Sequence, residues 1–375
     1  MKIAIVCDWL LGTGGAERVV LELHKMFPKA PIYTSQYNPD PNIWYGDKWF
    51  TDADVRTGWL QTLPKRLKKF LPVFRAWYFS RLDLSDYDLV ISSSGAEAKF
   101  VKVKSGSTHI TYCHAPTHYY WSRYDEYLKN PGFGFFDPLA RLGLRILAGP
   151  MRLWDFKAAQ RPDFFIANST YIKNQVKKYY SRESKVVHPP VDTQRFANHI
   201  KPESDRHGLV AAGRQTPYKR IDLAVEAAEM TDVALTVIGN GPDNRRLRRL
   251  ARRKTTFLMN VSDEQMPEKL GQAKAFILPN ADDFGIVAVE ALAAGTPVVA
   301  YKNGGQLDYI NTDNGVFFEE QNVESLSQAI QKTLSKNFSH SKIASTTKQF
   351  SPEAFKSSIA KLIKTMTNNS VNISK

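Results

Sequence analysis

Two carboxylates frame one of the most apolar stretches of the chain. Asp282 lies in the turn ADDFG, and Glu290 follows eight residues later inside IVAVEALAAG, where every neighbour is apolar or small. Burying a carboxylate is costly unless something satisfies it. Glu290 therefore stands out as a carboxylate that needs a partner to be tolerated in its helix. A second group is cationic. In GRQTPYKRIDLAVEA, Arg214 is followed by Lys219 and Arg220, between an apolar strand and a helix. Cations fixed at a strand's carboxyl end suit the charge that develops on a leaving diphosphate; a solvated basic turn is the plainer alternative. Two glycine-rich turns complete the set. GTGGAE offers Gly14 and Gly15 at a helix entrance, where free N–H groups favour anions, and VIGNGPDN offers Gly239 and Gly241. Glu17 and Asn244 occupy the third glycine position of G-x-G-x-x-G, so neither turn is a dinucleotide fingerprint. Each also reads as a simple tight turn.

The elements that must hold these residues alternate strand and helix. KIAIVCDWL leads through GTGGAE into VVLELHKMF; YDLVISSS, THITYCH and DFFIANS are short apolar strands ending at small or polar residues. The rhythm restarts at GLVAAGRQ and runs through ALTVIGNG, AFILPN and PVVAY. HPPVDTQRF and NHIKPESDRHG interrupt it, so the expected division is an N-terminal domain over residues 1–195 and a C-terminal domain over 196–350. A last helix over about 351–367, with Ser351 as N-cap and Pro352 at its first position, is expected to pack back on the N-terminal domain. The fold class is α/β: two Rossmann-like domains, expected to face each other across a cleft.

Bulk properties narrow the partners. A chain of 375 residues with 43% hydrophobic and 23% charged residues folds as a globular protein of two ordinary domains. Its only cysteines are Cys7 and Cys113, which excludes a disulfide scaffold and a cysteine zinc cluster and fits a reducing compartment. Asp8 interrupts the apolar start, so it reads as a first strand and not as a signal peptide. No run reaches the roughly 18–20 apolar residues of a membrane span. A net charge of +14 favours an anionic partner.

Several segments together resemble the retaining glycosyltransferases of family 4, which have the GT-B fold. They are GTGGAERV, TYCHAP, ANSTYIKNQV, VVHPPVDTQRF, GRQTPYKRIDLAVEA, VIGNGPDNRRL and PNADDFGIVAVEALAAGTPVVAYKNGG, in family order. HPPVDTQRF and YCHAP are most similar to the branch of mannosyl- and related transferases. The resemblance implies transfer of a hexose from a nucleotide-sugar, GDP-mannose first, to a lipid-linked or glycan acceptor, with retention through front-face attack. It implies that Glu290 binds the ribose hydroxyls and that Asp282 contacts the donor sugar. The family usually has Glu at that position, so the reach is one methylene shorter and Asp283 is a candidate to share the task. Arg214 and Lys219 match the diphosphate clamp, and Gly14 and Gly15 the N-domain loop over the phosphates. His114 matches a histidine lining the sugar pocket. Phe284, Gly285 and Ile286 match a turn whose amides meet sugar and phosphate, with Val287 and Gly239 counted among the donor-binding residues. Catalytic roles fall to Asp282, His114, Arg214 and Lys219. The resemblance implies no cofactor, and no metal is expected. The strings Asp52-Ala53-Asp54 and Asp86-Tyr87-Asp88 have the form of metal-binding pairs, but among 37 acidic residues they arise easily by chance.

Residues 59–82 interleave bases and aromatics: Lys65, Arg66, Lys68, Lys69 and Arg75 with Phe70, Phe74 and Trp77 among others. This suits contact with anionic lipid on the cytoplasmic face of the cell membrane; a packed helix with a solvated basic edge is the alternative. HYYWSRYDEY, with Tyr119 and Trp121, fits either acceptor stacking or core, and Asn168 reads as a helix cap. UDP-glucose, UDP-N-acetylglucosamine and UDP-galactose remain alternative donors. A basic nucleic-acid-binding protein is the rival class, but no nucleic-acid motif is present and such a protein leaves Asp282 and Glu290 unexplained. A nicotinamide-dependent dehydrogenase is disfavoured by the two failed glycine patterns.

Overall fold

The computed structural model describes residues 1–44, 49–63, 71–129, 131 and 134–373. These form two compact units: Met1–Pro189 with Lys356–Lys375, and Pro190–Phe355. The break falls at the Pro-Pro step of HPPVDTQRF.

Among the described residues, the first unit has a seven-stranded sheet. Its strands are β1 (Ile3–Cys7), β2 (Ile32–Thr34), β3 (Val55–Arg56), β4 (Leu89–Ser94), β5 (Thr108–Cys113), β6 (Phe164–Ala167) and β7 (Lys185–Val186). All pair in parallel, in the order β3-β2-β1-β4-β5-β6-β7. The second unit has β8 (Leu209–Ala212), β9 (Leu235–Ile238), β10 (Thr255–Leu258), β11 (Ala275–Leu278), β12 (Val298–Tyr301) and β13 (Gly315–Phe318), ordered β10-β9-β8-β11-β12-β13 and again parallel. Strands such as LVISSS, THITYC and AFIL are buried along their whole length because helices cover both faces. That burial explains why they read as continuous apolar or small-residue runs and not as alternation. Strand order reverses beside β1 in one sheet and beside β8 in the other. At such a switch point adjacent loops part to opposite faces and leave a crevice at the carboxyl ends.

The final helix, Pro352–Ile373, starts with the Ser351 hydroxyl accepting from the Ala354 N–H at 3.2 Å. From Lys356 onward it belongs to the first unit, where Lys356 Nζ lies 3.7 Å from Glu22 Oε2. Among the described residues, no helix is long and apolar enough to cross a membrane.

One polar cluster is buried beneath the helices of the first unit. Asp155, fully buried in the helix Asp137–Ala159, receives Lys99 Nζ at 2.7 Å and the Thr117 hydroxyl at 2.9 Å on Oδ1. Its Oδ2 accepts from Trp121 Nε1 at 2.7 Å and the Tyr180 hydroxyl at 2.8 Å. Four donors on one carboxylate tie three segments to this helix and compensate its desolvation. Trp121 is thereby a packing residue, and Tyr119 likewise donates its hydroxyl to buried Glu97.

Removing the carboxylate would strand the Lys99 ammonium in the interior. Asp155→Ala is expected to cost about 3–5 kcal/mol, and Lys99→Met added to it should recover part of that loss. All seven tryptophans lie in the first unit, so urea titration followed by tryptophan fluorescence reports this change selectively.

Candidate active site

In the second unit the carboxyl ends of β8 and β11 enclose a small hollow lined by Ala212, Gly213, Lys219, Pro279 and Asn280, among others. Lys219 Nζ lies 2.5 Å from Asp282 Oδ2. The two residues are 63 positions apart in sequence and meet because the loops after β8 and β11 flank the switch point. Arg214 is exposed on the same loop, whereas Arg220 folds back onto its neighbour Asp222 at 3.2 Å. Asn280 is 2% exposed, and among the described residues neither of its amide atoms has a hydrogen-bond partner. The hollow thus carries an ammonium and an unsatisfied amide, a donor set that fits phosphate or hydroxyl oxygens.

The turn after Asn280 is held from behind. The buried Gln306 side chain donates to the carbonyls of Asn280 at 2.8 Å and Tyr301 at 2.9 Å, and accepts from the Asp282 N–H at 3.2 Å. Gly305 N–H donates to the Asp282 carbonyl at 2.7 Å, and Asp282 Oδ1 takes the Asp283 N–H at 3.0 Å. Phe284 is buried, and the Tyr309 hydroxyl donates to its carbonyl at 2.8 Å. Gly285 has φ +89, and a Cβ on it would lie 2.6 Å from Tyr309 Oη, so only glycine fits. It opens the helix Ile286–Ala293 with no side-chain cap, leaving the first-turn amides of Ile286 and Val287 to the positive end of the helix dipole.

Glu290 is 4% exposed in that helix. It is not the isolated charge its sequence neighbours suggest, because the adjacent helix Thr193–Ala197 brings Arg195 beside it. Arg195 is ion-paired with Asp263, and its Nη2 lies 3.1 Å from Asp263 Oδ1. Burial alone would lower the Arg195 pKa. The bond to Asp263 and the charges of Asp263, Glu290 and Asp192 outweigh burial and raise it. Arg195 was within reach of sequence reasoning, since it lies in HPPVDTQRF. Asp263 had no such signal.

Gly239 has a structural reason to be glycine. Its φ is +113, and a Cβ there would lie 2.4 Å from the Gly213 carbonyl. The buried Gln215 locks these two loops, donating to the Gly239 carbonyl at 2.7 Å and accepting from Asn244 Nδ2 at 2.6 Å. The Arg214 loop and the Gly239 turn are therefore one assembly, with Gln215 as the residue that sequence reasoning missed.

In the first unit, Asp8 ends the run of β1 at the other switch point. Its carboxylate accepts the N–H groups of Gly95 (2.7 Å), Ala96 (3.0 Å) and Ala98 (2.7 Å), which binds the loop after β4 to β1. His114 follows β5; its Nε2 lies 2.7 Å from the Ser93 hydroxyl, and its carbonyl accepts from Asn168 Nδ2 at 3.0 Å. Asn168 is thus not the helix cap. Ser169 is, accepting the Ile172 N–H at 3.1 Å. Gly14 precedes the helix Gly15–Met26, and the Glu17 carboxylate lies over it, 2.6 Å from where a Cβ would be. Burial, with a smaller contribution from the Asp8 charge, pushes Glu17 up to about 7.

Two sequence expectations need correction or bounding. Arg75 does not face a membrane: it is buried, its Nε bonded to Glu97 Oε2 at 2.7 Å and its guanidinium 4.8 Å over the Trp9 ring. A buried carboxylate attracts it more strongly than a solvated surface does. Lys65, Arg66, Lys68, Lys69 and Phe70 lie outside the described residues. Phe74 and Trp77 are exposed and group with Trp59, with ring centroids 6.0 and 5.7 Å from Trp59. The acidic strings are engaged locally: Asp52 with His24, Asp54 with Arg56 and Asp88 with the Lys2 N–H.

Comparison with known proteins defines the class. A family model for Glycosyltransferase Family 4 matches residues 13–195, and one for Glycosyl transferases group 1 matches residues 192–364. The human alpha-1,3/1,6-mannosyltransferase ALG2 is 24% identical over 92% of this chain and 91% of its own. The GDP-mannose-dependent alpha-(1-6)-phosphatidylinositol monomannoside mannosyltransferase of Mycolicibacterium smegmatis is 26% identical over 43% of this chain and 50% of its own. The chain spans about half the length of the latter and of other curated relatives it matches, between 39% and 56%. Among solved structures, Anabaena HepE in complex with UDP and glucose superposes with a TM-score of 0.66, at 18% identity, covering 97% of this chain and 99% of that one. The chain belongs to glycosyltransferase family 4, and its two α/β units have the GT-B fold.

The raised Glu17 sets a pH signature. Between about pH 4.5 and 7 the unfolded chain ionises Glu17 while the folded chain holds the proton, so stability from this residue falls as pH rises through that window. Relative to Glu17→Gln, the parent should lose about 2–3 kcal/mol between pH 4.5 and 8. Urea midpoints of both proteins across that range test it; parallel profiles would show that Glu17 titrates normally.

Proposed function

We propose that the chain is a retaining hexosyltransferase that moves mannose from GDP-mannose to a lipid-linked or glycan acceptor of the cell surface, working on the cytoplasmic face of a membrane. The observation that carries this reading is the Lys219–Asp282 pair at the β8/β11 switch point, beside the uncapped start of Ile286–Ala293. Breaking a glycosyl–phosphate bond leaves negative charge on the diphosphate and positive charge on the ring. Lys219, Arg214 and the amides of Ile286 and Val287 supply fixed positive charge for the first, and the Asp282 carboxylate suits the second. In front-face transfer the C1–phosphate bond breaks, the acceptor oxygen bonds to C1 on the same face, and its proton passes to the departing phosphate oxygen. No separate base is needed. Glu290 accepts from the ribose hydroxyls, Asn280 and Gly239 border the phosphates, and Asp283 assists Asp282 at the sugar. Gly14, Gly15 and His114 serve the reaction from the first unit. Protein cations take the place that a metal holds in other transferases, so no cofactor is required.

Mannose is favoured by the kinship with proteins named as mannosyltransferases, two of which share 24% and 26% identity with this chain. A UDP-sugar is the second reading, favoured by the likeness to HepE, whose structure holds UDP and glucose.

Calorimetry and slow donor hydrolysis with GDP-mannose, UDP-glucose, UDP-N-acetylglucosamine and UDP-galactose test the proposal. GDP-mannose should bind best, and chelator should leave hydrolysis unchanged. Glu290→Gln should weaken nucleotide binding by about 10–100-fold. Asp282→Asn should lower kcat by about 100-fold or more with little change in Kd. A chain that binds none of the four overturns the enzyme reading.

A further inference from the structure

The helix Asp137–Ala159 presents two faces with opposite chemistry. Its inward stripe is Ala148, Met151, Asp155, Ala158 and Ala159, all from its second half. None of residues 137–147 is buried. The outward stripe is Leu139, Leu142, Ile146, Leu147 and Leu153, each between 50% and 66% exposed, at spacings of three, four, one and six residues. A water-facing helix face normally carries charge, and five large aliphatics along about 21 Å of helix need a partner. The exposed charges along this stretch are Arg145 and Lys157; of the helix's two carboxylates, Asp155 points inward and Asp137 stands at the first position, before the aliphatic stripe begins.

We infer that this helix is the element by which the first unit lies on an anionic lipid bilayer, its aliphatic stripe among the acyl chains and Arg145 and Lys157 at the headgroups. The inference rests on the reading that the acceptor is lipid-linked, and it assigns the membrane face to a helix outside residues 59–82. Charge selects the occupant. A second copy docking through the same face would bring Arg145 and Lys157 against themselves, since a two-fold interface pairs a patch with its own image. An anionic surface complements them, as does a chain of net charge +14. A second feature supports the same partner. Exposed Trp59, Phe74 and Trp77 cluster on and beside the helix Leu71–Arg81, with the Arg81 guanidinium 4.5 Å over the Trp77 ring. Amphipathic aromatics with a cation are typical of bilayer interfaces. Both helices rest on one core cluster, which holds Ala76 and Phe79 from one and Met151 and Ala158 from the other, so both groups lie on one side of the sheet. The Asp155 bonds anchor the inner half of the helix while its outer half remains available for insertion.

Flotation of the full-length chain with vesicles of phosphatidylcholine alone or with 30% phosphatidylglycerol, chosen as roughly the charge of an anionic membrane, decides the matter. The parent should float with the anionic vesicles only. Leu142→Glu/Ile146→Glu should reduce flotation at least about 10-fold with unchanged circular dichroism. Arg145→Glu/Lys157→Glu should reduce it and flatten its dependence on salt. Equal flotation of parent and Leu142→Glu/Ile146→Glu overturns the inference, as does equal binding to neutral vesicles. So does a parent that fails to float but sediments as a dimer that the same substitutions dissociate. Nucleotide-sugar binding measured on the same proteins without vesicles separates the two readings. Retained donor binding with no flotation removes the membrane role alone, and loss of donor binding in the parent removes the enzyme reading.

Discussion

All the strand pairs of both sheets run parallel, and that constraint decides where this chain can do chemistry. A parallel strand must return through a crossover, so each sheet collects its strand-to-helix loops at one edge. Where strand order reverses, two of those loops part and expose backbone and side chains that would otherwise be covered. Asp8, Gly95 and His114 gather beside the β1/β4 reversal, and Lys219, Asn280 and Asp282 beside the β8/β11 reversal. Glycines at 239, 285 and 305 matter for the same reason. Loops crowded at one edge leave no room for a side chain: a Cβ at any of these three positions would come within 2.6 Å of a neighbouring atom, backbone at 239 and 305 and the Tyr309 hydroxyl at 285.

Much of this was legible in the sequence because buried parallel strands are short, apolar and punctuated. The strands at 3–7, 89–94, 108–113 and 275–278 and the Ser351 start of the last helix follow from local pattern alone. The pairings do not. Lys219 with Asp282, Arg195 with Asp263 and Lys99 with Asp155 join residues 56 to 68 positions apart, and side chains meet there only once the topology exists. Short-range choices between like residues were equally illegible. Asn168 and Ser169 are both good caps, and their roles separate only because the Asn168 amide is drawn to the His114 carbonyl. Arg75 misled for a related reason. A basic residue among aromatics resembles a membrane edge until the buried Glu97 opposite it is known.

The solution for Glu290 is electrostatic as much as ligand-based. A carboxylate in the helix IVAVEALA would be prohibitive alone. Arg195 beside it supplies a compensating cation, and Asp263 holds Arg195 in place. The arrangement sets the Glu290 side chain near a cation in a buried setting and offsets part of its desolvation cost. Such preorganisation favours a ligand that donates hydroxyl protons and disfavours one that brings negative charge to that spot. On the proposed reading, Glu290 then orients a nucleotide-sugar, with hydroxyls at one end and phosphates toward Lys219 at the other.

Asp282 works under a different constraint. Both its oxygens are engaged, Oδ2 by Lys219 and Oδ1 by the Asp283 N–H, while Gln306 and Gly305 fix its backbone. On the proposed reading, a glutamate would reach one methylene further toward the sugar. Aspartate keeps the ion pair tight instead. On the proposed reading, an arriving diphosphate competes with Asp282 for Lys219 and frees the carboxylate to face the ring where positive charge develops. Donor binding and the freeing of the carboxylate would then be coupled through the Lys219 ammonium. On that reading, the shorter side chain would make the sugar contact depend on a correctly seated diphosphate.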